Sequence, residues 1–373
     1  MGRNLALAGV SLIVLLLLLE TAFRALDLRG HFADRSRGYE SVFLPEDQRL
    51  PGLFREFRPN SDFELRYDSD PRGYFGPSLG LRYHINRHGF RGPDWNPEKK
   101  PGTLRVMLLG DSFAFGEGVR WEDTLGERLE DLLAGRLSPA VEVLNVAVGG
   151  WGTRDEVIQL EQRGTYGADL VVLLYVLNDA GYPTGVDLWE NFRHAYEPPD
   201  WLRHSYVLSF FYTRTARDIL GRRYVTSLIR SGQTRRNDLW QQSFAGLARA
   251  RDRVQDAGAR FAVVLFPFLF ELGDDYPFLV LHQNVRAACE AEGISFHDLL
   301  DDFKGLPYAE LWVHPSDHHP NEIAHRRAAE AVARFLLSAG LLAPEGGSAR
   351  MRPSSSSATA VSPARSSSAG PST

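Results

Sequence analysis

Cysteine is almost absent from the sequence: one residue, Cys289, in 373. A single thiol excludes an internal disulfide framework and a cysteine-rich metal site, and it leaves the redox compartment open. Cys289 follows Ala287-Ala288 in a helical pattern, which predicts a small buried side chain. A surplus of positive charge is missing too. With 42 Lys+Arg against 47 Asp+Glu, a net charge of −5 and a pI near 6.1, nothing suggests a nucleic-acid partner. There is no Gly-Lys-Ser/Thr phosphate loop, and Gly116-Glu-Gly118 is no dinucleotide fingerprint because Trp121 stands in the third glycine's place. No repeat with a period of about 20–50 residues is visible. What is present is ordinary globular usage, 43% hydrophobic and 24% charged, in a chain long enough for one large core with additions or for two domains.

One long hydrophobic run exists, and it lies at the start. Leu5 to Leu19 are apolar apart from Ser11, with Arg3 ahead and Glu20 behind, and the pattern resumes from Thr21 to Leu26. A membrane span needs roughly 20 residues, so this run spans only if Glu20 sits at the headgroup level, where a charge costs far less than at the centre. A cleaved signal peptide is the competing reading, since a basic start and an apolar run of about 15 residues fit its upper limit. Ala22 and Ala25 flank Phe23 and Arg24 instead of forming a clean small-x-small site, which favours an uncleaved anchor. Flanking charges nearly balance and do not set an orientation. Either way the body is expected outside the cytoplasm, membrane-anchored or, alternatively, secreted after cleavage.

After this segment (1–26) comes a lead-in (27–102) rich in Arg, Asp, Gly, Pro and aromatics. Alternating pieces such as Leu81-Arg-Tyr-His-Ile-Asn86 predict short half-buried strands, and 93–101 reads as a linker. No site signature falls there. From 103 to 342 strands and helices alternate. Arg105–Leu109, Val141–Val148, Leu170–Val176, Phe261–Phe266 and Ile294–Leu299 are runs apolar enough for strands covered on both faces. Helical patterns such as Thr124–Gly135, Leu239–Ala257 and Glu322–Leu342 accompany them. The predicted fold class is α/β, a flavodoxin-like three-layer α/β/α sandwich with a central parallel sheet of about five strands, plus the N-terminal transmembrane helix. The interval 180–237 is too long for a simple crossover and carries Trp189, Phe192, Trp201, Phe210, Phe211 and Tyr212 among arginines. It reads as a helical insertion beside the site: a lid, a membrane-contacting face or, most simply, packing. The Ser/Ala/Pro-rich tail, 343–373, is expected to be disordered.

Four segments place polar residues just beyond strands or before a helix: Gly110-Asp-Ser-Phe113, Asn145-Val-Ala-Val-Gly-Gly-Trp-Gly152, Tyr175-Val-Leu-Asn-Asp179 and Ser316-Asp-His-His-Pro-Asn321. Alone, the first might only cap a helix through Asp111 or Ser112. Together they supply what a hydrolytic serine needs: a hydroxyl, a base, a group orienting the base, and donors for the oxyanion. In an extended segment residues i and i+2 share a side, so Asp317 can approach His319 while His318 points away. His318 is the main rival as base. A metal site at His314, His318 and His319 is the bland alternative and is not favoured, with one nearby carboxylate and no cysteines. Asp111 and Asp179 read as loop-holding residues, and His325 as a residue on a solvated helix face.

These blocks resemble the SGNH, or GDSL-type, serine hydrolase family. The resemblance implies Ser112 as nucleophile, Asp317 and His319 as its partners, and an oxyanion hole from the Ser112 and Gly150 backbone N–H groups with the Asn178 side chain. A one-residue slip to Gly149 stays open. Two departures stand out: Val176 replaces the glycine of a Gly-x-Asn-Asp block, and Asp317 precedes His319 by two positions where three is common. The implied activity is hydrolysis of acyl esters, short-chain or carbohydrate O-acetyl, through an acyl-enzyme, with no cofactor and no metal. The expected partners are a small-molecule or glycan ester and, through the N-terminal helix, a membrane. A polysaccharide O-acyltransferase using the same residues and a non-catalytic carbohydrate-binding module are the alternatives. The oligomeric state is not set by the sequence.

Overall fold

A computed structural model describes residues 2–28, 33–34, 40–137, 140–180, 200–216 and 238–342. Most of the expected insertion (181–199 and 217–237) and the tail expected to be disordered (343–373) lie outside the described residues. The chain opens with a helix, Gly2–Ala25. Within it Asn4–Ala25 is 22 residues long, has a mean hydropathy of 2.4 and buries none of its most apolar window, so it is long and apolar enough to cross a membrane. A signal sequence shares that property.

The lead-in forms a small antiparallel sheet, β1 (Ala33–Asp34), β2 (Ser61–Tyr67) and β3 (Gly80–Ile85), in that order. Its two longer strands alternate as half-covered strands should: Phe63, Leu65, Tyr67, Leu81, Tyr83 and Ile85 are buried, with Glu64, Arg66, Arg82 and His84 between them on the other face.

Five parallel strands make the main sheet: β4 (Thr103–Gly110), β5 (Ala140–Ala147), β6 (Leu170–Tyr175), β7 (Arg260–Leu265) and β8 (Ser295–Asp298), in the order β5-β4-β6-β7-β8. This is the expected flavodoxin-like order. Helices cover both faces, so β4 and β6 are apolar along nearly their whole length. Leu125–Ala134 packs against Glu322–Ser338, while Thr153–Arg163 packs against Asp238–Asp256, which also meets Leu279–Ala291. Cys289 is fully buried in the last of these. After β8 a two-stranded hairpin, β9 (Trp312–His314) and β10 (Asp317–Pro320), leads into Glu322–Ser338.

His325 departs from expectation. It is fully buried, and its Nδ1 accepts from the Leu125 amide at 3.2 Å, supplying an acceptor to the buried first turn of a neighbouring helix. Burial, with the Arg91 and His319 charges nearby, lowers its pKa to about 3, so the imidazole is neutral.

Candidate active site

The sheet order decides where a site can form. β4 lies between β5 and β6, with Gly110 in register with Ala147 on one side and Leu174 on the other. The chain leaves β4 for β5 and then crosses to β6, so the loops beyond these three strands diverge around a crevice at their carboxyl ends. Ser112 follows β4, Gly150 follows β5 and Asn178 follows β6. All three are half-buried.

Gly110 allows the turn into Ser112. A Cβ there would come within 2.9 Å of the Ala114 Cβ and 3.1 Å of the Leu174 carbonyl, so only glycine fits. Asp111 caps the one-turn helix Ser112–Phe115, with Oδ1 accepting from the Phe113 amide at 2.8 Å. Its Oδ2 accepts from Asn178 Nδ2 at 2.9 Å, which ties the loop after β6 to the turn bearing Ser112. Gly150 has φ 89° in the turn after β5, a left-handed conformation that favours glycine.

The fourth segment arrives on β10. His319 Nε2 lies 2.9 Å from Ser112 Oγ, and Nδ1 lies 2.5 Å from Asp317 Oδ1. Asp317 and His319 are two apart on a strand, and the two side chains meet as that spacing predicts. A ring nitrogen facing a buried carboxylate holds the proton, leaving the other nitrogen's lone pair toward the serine. His318 is elsewhere, stacked on Trp312 with ring centroids 3.8 Å apart. His314 is also separate: its Nδ1 lies 2.6 Å from Ser316 Oγ and its Nε2 2.8 Å from Ser69 Oγ. The three histidines therefore do not converge as metal ligands. Among the described residues the group that does converge is Glu117, Asp317 and His319, whose ligand atoms lie within 4.8 Å of one another. His319 already directs Nδ1 at Asp317 and Nε2 at Ser112, so an ion on either nitrogen would displace one of those contacts.

Several residues at this site carry no signal in the sequence. Tyr67, at the end of β2, donates its hydroxyl to Asp317 Oδ2 at 2.9 Å, so each Asp317 oxygen has its own contact. Buried Arg91 donates to the carbonyls of Phe115 at 3.0 Å, Gly116 at 2.5 Å and Val119 at 2.7 Å, closing the turn after the Ser112 helix. Its guanidinium lies 4.3 Å from the Tyr83 ring centroid, and the Tyr83 hydroxyl accepts from the Gly118 amide at 2.7 Å. Glu117 Oε1 stands 4.0 Å from His319 Nδ1, behind Asp317. The alternation of β2 and β3 foretells that Tyr67 and Tyr83 are buried, but not what their hydroxyls meet.

Behind the crevice lie three buried carboxyls: Asp111, Asp179 and Glu156. Asp179 Oδ2 accepts from the Val176 amide at 2.8 Å, holding the Asn178 turn. Neither oxygen of Glu156 finds a hydrogen-bond partner among the described residues. Burial raises the pKa of all three, well above the ordinary range for Glu156 and Asp179, which repel each other and Asp111. The burial and the neighbouring carboxyls thus favour the neutral form of Glu156.

A model of the GDSL-like lipase/acylhydrolase family matches residues 108–327. No curated protein sequence matches the chain. Among solved structures it is similar to a lipase from a goat rumen metagenome, at 16% identity and a TM-score of 0.41 over 64% of this chain and 98% of that one. An esterase from Pseudoalteromonas sp. aligns at 15% identity and a TM-score of 0.38, over 63% and 97% of the two chains. An acetylxylan esterase from Geobacillus stearothermophilus aligns at 16% and 0.39, over 62% and 94%. The family match takes in more than half of the chain and every strand of the main sheet except the start of β4, and the chain belongs to the GDSL-like lipase/acylhydrolase family of ester-hydrolysing enzymes.

Proposed function

We propose that the protein is a serine esterase in which Ser112, His319 and Asp317 form the catalytic triad. The observation that carries this reading is the continuous path from Ser112 Oγ to His319 at 2.9 Å and on to Asp317 at 2.5 Å. His319 Nε2 takes the serine proton as Oγ attacks the ester carbonyl, and Asp317 steadies the imidazolium. The negative charge that develops on the carbonyl oxygen is met by the Ser112 and Gly150 backbone N–H groups and by Asn178. Asn178 Nδ2 has two hydrogens; with one given to Asp111, the other is left for the oxyanion. Collapse expels the alcohol, which takes the proton from His319. Water then attacks the acyl-enzyme with His319 again as base, releasing the acid and restoring Ser112.

The preferred substrate class is a small acyl group, such as acetyl, on a larger alcohol or sugar. Support comes from the dyad's partial access: the His319 side chain is 16% exposed and Ser112 is half-buried, so a carbonyl at the surface can reach the serine. Tyr67 acts as a positioning residue through Asp317, which supports counting residues 40–102 with the catalytic body rather than as a spacer. The apolar N-terminal helix supports an extracytoplasmic location for that body.

The test is release of aryl alcohol from a short-chain aryl acetate by the full chain, wild type beside Ser112→Ala and Asn178→Ala. Loss of nearly all activity is expected for Ser112→Ala and about 10²–10³-fold for Asn178→Ala, with both proteins folded. Equal rates in wild type and Ser112→Ala would sink the assignment. Repeating the assay with an acetylated glycan, and with a free glycan acceptor, separates hydrolysis from transfer to sugar.

A further inference from the structure

The N-terminal helix ends in a contact too specific for a segment that is cut away. Near its carboxyl end the Glu20 carboxylate accepts from Ser205 Oγ at 2.8 Å, from the Tyr206 amide at 3.0 Å and from the Val207 amide at 3.2 Å. These amides open the short helix Tyr206–Phe211, where the first turn has no intrahelical acceptors. Arg24 pairs with Glu20 at 2.8 Å, donates to the His204 carbonyl at 2.6 Å and lies 4.7 Å from the Tyr206 ring centroid. Phe23 meets Phe210 edge-on, with centroids 5.1 Å apart, and stands 6.3 Å from Phe211. Residues 20, 23 and 24 share one helix face, so the contact is a single stripe.

The docked segment leaves three large apolar side chains uncovered, beside the polar His204, Arg214 and Thr215. Trp201 is 65% exposed, Leu208 46% and Phe211 54%. Phe211 adjoins Phe23 of a 22-residue apolar helix that is itself uncovered. The apolar surface of 200–216 is thus continuous with that of the helix, at the helix end where the charges of Glu20 and Arg24 mark the edge of the apolar run. A tryptophan, two further large apolar side chains and an arginine at that level are the composition of a bilayer interface.

We propose that the N-terminal helix is a retained anchor, and that residues 200–216, clasped to it by Glu20, Phe23 and Arg24, form a foot in the headgroup layer of a phospholipid bilayer. Trp201, Leu208 and Phe211 enter the acyl boundary. The proposal is independent of the chemistry at Ser112.

The experiment uses the full chain with Cys289→Ala, reconstituted in vesicles of phosphatidylcholine and phosphatidylglycerol. A nitroxide is attached in turn to Leu208→Cys, Phe211→Cys and, as a control on an exposed part of the body, Lys304→Cys. Expected is a collision rate with oxygen several-fold above that with a water-soluble nickel chelate at 208 and 211, and the reverse at 304. Nickel accessibility at 208 and 211 equal to that at 304 overturns the foot. If either variant fails to fold, Trp201→Cys takes its place. Intact mass of protein extracted from membranes should include the helix, and a species beginning after residues 22–25 overturns retention. Adding Glu20→Ala and Arg24→Ala should give the 208 nitroxide a fast-motion component, and an unchanged spectrum overturns the clasp.

Discussion

Two aromatic-rich regions lie outside the main sheet, and they meet the rest of the molecule in opposite ways. The lead-in turns its rings inward: Phe57 and Tyr83 are fully buried, Phe63 nearly so; Phe57 and Tyr83 stack with Phe115 of the Ser112 helix at centroid distances of 5.3 and 5.6 Å, and Phe63 stacks with Tyr83 at 4.7 Å. The 200–216 segment turns Trp201 and Phe211 outward and is tied to the N-terminal helix by hydrogen bonds to one carboxylate. Aromatic content alone does not tell these regions apart. Periodicity does: β2 and β3 alternate strictly, so one face is committed to a core, whereas Trp201 to Tyr212 has no such phase. A core-directed aromatic region can supply catalytic support; an outward one is free to meet a different solvent.

The contrast can be broken most severely at Arg91. Arg91→Ala should leave the carbonyls of Phe115, Gly116 and Val119 without their donor and should cost about 3–5 kcal/mol, read as a lower urea midpoint. If stability is unchanged, the lead-in is not integral to the body. Tyr67→Phe tests its catalytic part. Losing a hydrogen bond to a charged group costs about 1.5–3 kcal/mol, so kcat should fall on the order of ten- to a hundred-fold with KM little changed. Charge then concentrates on the Asp317 oxygen facing His319, favours the imidazolium, and moves the acid limb of kcat/KM to higher pH. A purely structural tyrosine would leave that limb in place.

A smaller effect belongs to Glu156. Its pKa is raised by burial first and then by Asp111 and Asp155, so the folded chain keeps a proton that the unfolded chain loses above about pH 4.5. Stability contributed by this site is therefore complete below that pH and declines as pH rises toward the folded value. Glu156→Gln stays neutral throughout and should gain on wild type as pH rises above the unfolded value, measured by denaturation at a series of pH values. A constant difference across that series contradicts the reading. Smallest of all, Trp201→Ser should move the urea midpoint by about 0.5 kcal/mol or less and leave aryl acetate hydrolysis unchanged, in keeping with a side chain that touches neither core nor site.

The sheet was legible because its strands are short and mostly apolar, β6 wholly so, and each boundary falls within about two residues of the expected one. The polar residues after β4, β5 and β6 were legible because each lies in a short local block whose place at a strand end follows from the topology. Tyr67 and Arg91 were not. Their roles depend on where one hydroxyl and one guanidinium arrive after long-range packing, and local periodicity does not encode that. His325 misled for a different reason. The buried face of Glu322–Ser338 is built largely of alanines, Ala324, Ala328, Ala329, Ala331 and Ala333, so the pattern is too weakly hydrophobic to show which side faces inward.

The bond between Tyr67 and Asp317 joins residues 250 apart in sequence. During synthesis at about 5–20 residues per second, the tyrosine waits about 10–50 seconds for its aspartate to be made. Ser112 waits nearly as long for His319. In the proposed triad the serine is therefore made well before its base, and the two can act together only once the β9–β10 hairpin has been made and has folded in.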